Sequence, residues 1–172
     1  MAADPQRGRL TPRRGGLLAL QCLGAAWTLP NTLAGLLAGL CGMLAGARPR
    51  WHRRELSLVF ERWPWGPGGA MTLGNVILLK GASLDVPCTT YAHRAGQGEQ
   101  PWLRLGDHER AHVYQYLLLG PLFLPVYLAC GGISVRNPLE RAADHYALHG
   151  SGWWPWWSPQ RRRPKPNSSA SG

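Results

Sequence analysis

The sequence predicts a mainly helical α+β fold, membrane-associated, with a small antiparallel β-ribbon. Three observations carry that expectation. Long uncharged apolar runs lie beside arginine clusters, two stretches between residues 55 and 79 have strand character, and two later segments space polar residues by helical turns. With 172 residues the chain makes one modest domain with tails. Its formal charge is +10, which raises nucleic acid as a partner. The positive charge argues otherwise, because it borders the apolar runs. Arg7, Arg9, Arg13 and Arg14 precede one run, and Arg48, Arg50, Arg53 and Arg54 follow it. That arrangement suits the anionic surface of a lipid bilayer, and no nucleic-acid partner is expected.

Taken in order, residues 1–14 read as a disordered basic tail. Residues 15–47 carry no charge, exceeding the roughly 20 residues one crossing needs and falling short of two. Pro30 interrupts them, so the run is expected to be either a membrane-embedded helical hairpin or a kinked transmembrane helix. Glu55–Glu61 and Met71–Leu79 read as the two strands of the ribbon, joined by the turn-rich Trp63–Gly69. Residues 80–104 are glycine- and proline-punctuated and read as a loop over the site, and its lone His93 reads as a solvated side chain. A helix should run from near Leu103–Asp107 to Leu119, stopped by Gly120-Pro121. Residues 113–135 form a second uncharged segment, long enough to span as one kinked helix. Residues 151–172 are rich in tryptophan and arginine and read as an interfacial tail. Cys22, Cys41, Cys88 and Cys130 show no paired spacing and read as reduced and structural.

Chemistry concentrates in His108-Glu109-Arg110-Ala111-His112. At about 100° per residue, histidines four apart project from one helix face. Two imidazoles so placed can hold Zn²⁺, with Glu109 beside the open position as general base for zinc-activated water. A zinc hydrolase also needs a third protein ligand and groups that orient its histidines. Pro138 looks like the first residue of another helix, capped by Asn137, and on it Glu140 and Asp144 share a face.

His108-Glu109-x-x-His112 followed by Glu140-x-x-Ala143-Asp144 resembles the gluzincin metallopeptidases, nearest the membrane-bound group of CAAX-prenyl and HtpX-like proteases. The resemblance implies a minimal zincin-like domain over residues 48–150. Its metal ligands would be His108, His112 and Glu140, with Glu109 as the catalytic base and Asp144 as the carboxylate that fixes a histidine ring. A wider stretch, residues 28–147, is similar to a set of small bacterial membrane proteins of unassigned function. It includes Thr72–Ile77, His112–Tyr116, Gly120–Phe123 and Pro125-x-Tyr127-Leu128. These likenesses imply the bacterial cytoplasmic membrane, with the metal site near the cytoplasmic face.

The function expected is therefore a membrane-associated zinc metallohydrolase, a metallopeptidase acting on a peptide or membrane-protein substrate. The strand from Leu73, Gly74, Asn75 and Val76 onward is the candidate edge for pairing with a substrate backbone. His145 or Tyr146 is the candidate donor to a transition-state oxyanion, and His145 with His149 could instead make a second metal pair. The alternative is a membrane-anchored scaffold or binding protein whose zinc site is structural or lost.

Overall fold

The structure is a computed structural model that describes residues 23–156, apart from residues 25, 67 and 98–101. The basic tail 1–14, the start of the first apolar run and the arginine run after Trp156 lie outside the described residues. What is described is an α+β fold with a small mixed sheet.

Helix α1 is Leu29–Met43, and helical bonds reach back across its start: Thr28 N–H donates to Gly24 O at 2.9 Å and Thr32 N–H to Thr28 O at 3.0 Å. Pro30 sits in the first turn, where its missing N–H costs nothing. The chain therefore does not double back at Pro30, and the described part of this run is one helix rather than a hairpin. Its inner face is small. Gly35 lies against Val76 and Leu73, Gly39 against the Phe60 ring and Gly42 against Trp63. The Trp63 indole N–H also donates to Ala38 O at 3.1 Å.

The sheet differs from the expected ribbon. β1 (Arg48–His52) pairs antiparallel with β2 (Ser57–Glu61), and β3 (Ala70–Leu73) pairs antiparallel with β4 (Val76–Leu79). β2 and β4 run parallel, Leu58 opposite Val76, giving the order β1-β2-β4-β3. The stretch read as one strand is a hairpin, turned by Gly74 at φ 61°, a backbone that favours glycine. The continuous apolar run Val76-Ile77-Leu78-Leu79 explains the order. All four side chains are buried, which suits an inner strand covered on both faces, and β3 is left outside it. Alternation splits the core. Phe60, Val76 and Leu78 face α1 with Trp63 and Ala47, while Val59, Ile77 and Leu79 meet Leu84 and Leu105 on the other side.

A short pair, β5 (Pro87–Cys88) with β6 (Leu103–Arg104), and the single turn α2 (Tyr91–Arg94) organise the segment expected to be an overhanging loop. Helix α3 is Leu105–Leu119 and stops at Gly120. A 3₁₀ turn (Gly120–Leu122) and α4 (Phe123–Ala129) follow, so the second apolar segment is broken rather than one continuous helix. Counted through that interruption, the 25 residues Leu105–Ala129 are long and apolar enough to cross a membrane by length and composition, with a mean hydropathy of 1.2 over an 18-residue window. Helix α5 is Pro138–His149, capped by Asn137, whose Oδ1 accepts from Leu139 N–H at 2.9 Å. After it, Trp153 packs on Tyr114 at 5.8 Å between ring centroids, and Trp154 joins the core of Tyr116, Phe123 and Leu139. This part of the tryptophan cluster is therefore held by the domain.

The glycine face of α1 makes a direct prediction. A Cβ at position 39 would lie 2.3 Å from the Phe60 ring. Gly39→Ala should destabilise the protein by about 1–3 kcal/mol through overpacking. This should hold although alanine is the better helix former by up to about 1 kcal/mol. Thermal unfolding of the two proteins side by side checks it; an unchanged or raised midpoint contradicts the packing described.

Candidate metal centre

The site forms where α3 crosses α5. Ala111 and Ala143, both fully buried, let the helices approach closely, and Tyr146 and Trp153 close over them. Asp107 in the first turn of α3 accepts from Arg54 at 2.9 Å and from Arg104 at 3.2 Å, which ties the start of the helix to β6 and the β1–β2 turn. Favourable charge at a helix N-terminus adds to this.

From α3, His108 and His112 point into the crossing; from α5 come Glu140 and Asp144, all four buried. The Nε2 atoms of the histidines lie 3.1 Å apart. Glu140 Oε2 lies 3.1 Å from His108 Nε2 and 3.3 Å from His112 Nε2. The other ring nitrogens decide what this triangle can hold. His108 Nδ1 is 2.9 Å from Asp144 Oδ1, and His112 Nδ1 is 2.9 Å from Gln115 Oε1. The Gln115 amide nitrogen donates to Leu139 O at 3.0 Å and to Trp153 O at 2.8 Å, so its oxygen must face the imidazole. Both Nδ1 atoms therefore carry a proton, which leaves both Nε2 atoms facing inward. Glu140 Oε2 is buried without a hydrogen-bond partner. Two imidazole nitrogens and one carboxylate oxygen therefore converge on one point. Such a buried His-His-Glu group can bind a metal ion.

Burial alone would raise the Glu140 carboxyl, but the imidazoles of His112 and His108 outweigh it and hold it below the usual carboxylate range. Glu140 is thus an anionic ligand without any further change. Its other oxygen accepts from the Tyr127 hydroxyl. Asp144 Oδ2 accepts from the Tyr91 N–H at 2.7 Å, so one carboxylate fixes both a histidine ring and the start of α2.

Glu109 lines the cavity beside the triangle, and one of its oxygens accepts from the Thr72 hydroxyl at 2.6 Å. The cavity holds about 210 Å³ and is bordered by Met71, Leu73, Tyr91, Phe123, Leu124 and Ile133, among others. Tyr116 also lines it, with a buried hydroxyl that has no hydrogen-bond partner. Cys88 lies on its wall, and burial, helped by Glu109, pushes the thiol up to about 11. It is therefore a protonated wall residue, not a nucleophile.

The structure thus brings together His108, His112, Glu140, Glu109 and Asp144. It does not bring His145 or Tyr146 to the cavity. The His145 Nδ1 donates to Ser151 O and its ring stacks on His149 at 4.3 Å, both exposed, while Tyr146 packs on Tyr114. His93 is exposed on α2. The expected substrate edge also moves. Leu73 lines the cavity at the end of β3, the outer strand, but Gly74 and Asn75 form the hairpin turn. The Asn75 N–H donates to Thr32 Oγ1 at 3.1 Å. Val76 is on the inner strand under α1, and its backbone faces β2 and β3. The free edge beside the site is therefore Ala70–Leu73. Sequence reasoning missed Gln115, Thr72, Tyr91 and Tyr127. Of these, only Gln115 left a local signal, one helical turn after His112.

No protein-family model matches the sequence, and searches of curated proteins and of solved structures give no significant match.

Gln115→Leu keeps the volume and removes the acceptor that fixes His112. Metal affinity measured by chelator competition should fall about 10–100-fold. Unchanged affinity would mean that the ring is held by packing alone.

Proposed function

We propose that this protein is a membrane-associated zinc-dependent hydrolase, a metallopeptidase of the gluzincin type. The observation that carries the reading is the convergence of two inward-facing Nε2 atoms and Glu140 Oε2, which has no hydrogen-bond partner, with Glu109 and a cavity beside them. Zinc suits the donor set. Ligands bound at about 2.0–2.1 Å in a tetrahedron stand about 3.3 Å apart, close to the 3.1, 3.1 and 3.3 Å separations here. Bound there, zinc would polarise a scissile carbonyl and make water acidic enough to lose a proton near neutral pH.

The chain's own residues do the rest. Thr72 holds one oxygen of Glu109, leaving the other without a hydrogen bond and able to take a proton from water. The same carboxyl can then pass that proton to the leaving amine. The outer edge of β3, Ala70–Leu73, offers unpaired backbone groups along which an extended peptide can lie. Apolar walls at Met71, Leu73 and Leu124 favour apolar side chains next to the bond that is cut. A structural zinc site, as in a scaffold or binding protein, closes its fourth position with a protein ligand. Among the described residues no fourth His, Cys, Asp or Glu joins the group, which favours the hydrolase.

Metal content tests the site first. Purified protein should carry about one zinc per chain, lost in both His112→Ala and Glu140→Ala. Glu109→Gln should keep the metal and slow peptide hydrolysis by about 10²–10⁴-fold. Undiminished turnover in Glu109→Gln, or zinc retained in both ligand variants, would sink the reading.

A further inference from the structure

Helix α1 is inside out. Between Leu23 and Ala47 the only hydroxyl or amide side chains are Thr28, Asn31 and Thr32, and all three turn toward the protein. Thr28 Oγ1 donates to Asn75 Oδ1 at 2.8 Å, Asn31 Nδ2 donates to Gly120 O at 2.9 Å, and Thr32 Oγ1 accepts from Asn75 N–H. The opposite face is Leu29, Leu33, Leu37, Leu40 and Leu44, spaced by four, four, three and four along one stripe. Their exposure runs from 49% at Leu33 to 94% at Leu44. Trp27 and Met43 are also exposed near the two ends of the helix, and Leu118 and Leu122 lie exposed near the Asn31–Gly120 contact.

A helix packed on a water-soluble domain turns its apolar side inward and its polar side out. Here the arrangement is reversed, and the chemistry of the outer face selects its occupant. A protein partner brings about one hydrogen bond per 100–200 Å² of interface and a polar rim. This face has no hydroxyl, amide or charge to answer one. Hydrocarbon asks for none. Just past the helix, exposed Arg48 has no ion-pair partner among the described residues, as anionic headgroups require.

The 15 residues of Leu29–Met43 measure about 22 Å, short of the roughly 30 Å hydrocarbon core of a bilayer. The inner face also argues against crossing. The sheet packs on α1 at Gly35, Gly39 and Gly42, so an upright helix would carry the open edge of β3 and the exposed Arg62 into hydrocarbon. Unpaired strand edges are not stable there. We propose that α1 lies in the plane of an anionic membrane, its leucine stripe sunk into the outer hydrocarbon and the metal-binding domain standing on it. The proposal rests on the membrane association in the proposed function, and not on its zinc chemistry.

Full-length protein, reconstituted from detergent with phosphatidylcholine vesicles with and without phosphatidylserine, tests it by flotation. Wild type should float, more strongly with phosphatidylserine, and the double variant Leu33→Glu, Leu37→Glu should bind about tenfold less or weaker. Its metal content and thermal unfolding should match wild type, which separates lost docking from lost folding. A fluorophore placed in turn at Leu33, Leu37 and Leu44 should be quenched alike by a nitroxide near the headgroups. Graded depths across the three positions would show a crossing helix and overturn the in-plane arrangement. Undiminished flotation of the double variant, or a dimer that the variant abolishes in the absence of lipid, would overturn the lipid face. Wild type that never floats would sink the membrane association of the proposed function as well.

Discussion

A carboxylate buried between two imidazoles, each imidazole locked by an acceptor on its far nitrogen, governs the rest of this structure. Burying Glu140, His108, His112, Asp144, Glu109 and Gln115 together is expensive unless nearly every polar atom finds a partner. Most do, and the partners come from every direction: Thr72 from the sheet, Tyr127 from α4, the Leu139 carbonyl from α5 and the Trp153 carbonyl from the chain after it. Glu140 Oε2 at the centre is left without a hydrogen bond, and a cation there would satisfy it. The fold around it can be read as the set of contacts that keeps these groups in place.

The parts of the site visible in the sequence are the parts written at helical spacing. His108 and His112 share a face because they are four apart, as do Glu140 and Asp144, and neither statement needs the tertiary fold. The same arithmetic shows why His145 and Tyr146 fall away. Five and six residues past Glu140 they stand about 140° and 120° round the helix from it, so a helix that aims Glu140 at the crossing aims them elsewhere. Thr72, Tyr91 and Tyr127 were illegible because each reaches the site through long-range packing. The sheet order was hidden for a related reason. Strand character in Val76–Leu79 says that the strand is apolar, while its place between β2 and β3 depends on a crossover that no local pattern encodes.

In the first apolar run, composition raises the expectation of lipid contact but does not give the path of the chain. Pro30 looked like a break, yet it sits in the first turn, where helices tolerate proline. The more informative residues were the glycines. Gly35, Gly39 and Gly42 repeat at helical spacing and mark the face along which a sheet can come close, which leaves the leucines pointing away from it. Read for its smallest side chains rather than its most apolar ones, the run reveals its inward side.

Gln115 joins three parts of the chain through one amide. Its oxygen orients His112, and its nitrogen is shared between the end of the Asn137 cap and the backbone at Trp153. Ion binding and the seating of the segment after α5 are therefore linked functions in the thermodynamic sense, and linkage is reciprocal. Whatever strengthens the hold on the ion should also draw that tryptophan segment down. A partner or surface that pulls the segment away should loosen the ion by the same free energy. The segment at Trp153 would then serve as a reporter of the site's occupancy without touching the ion.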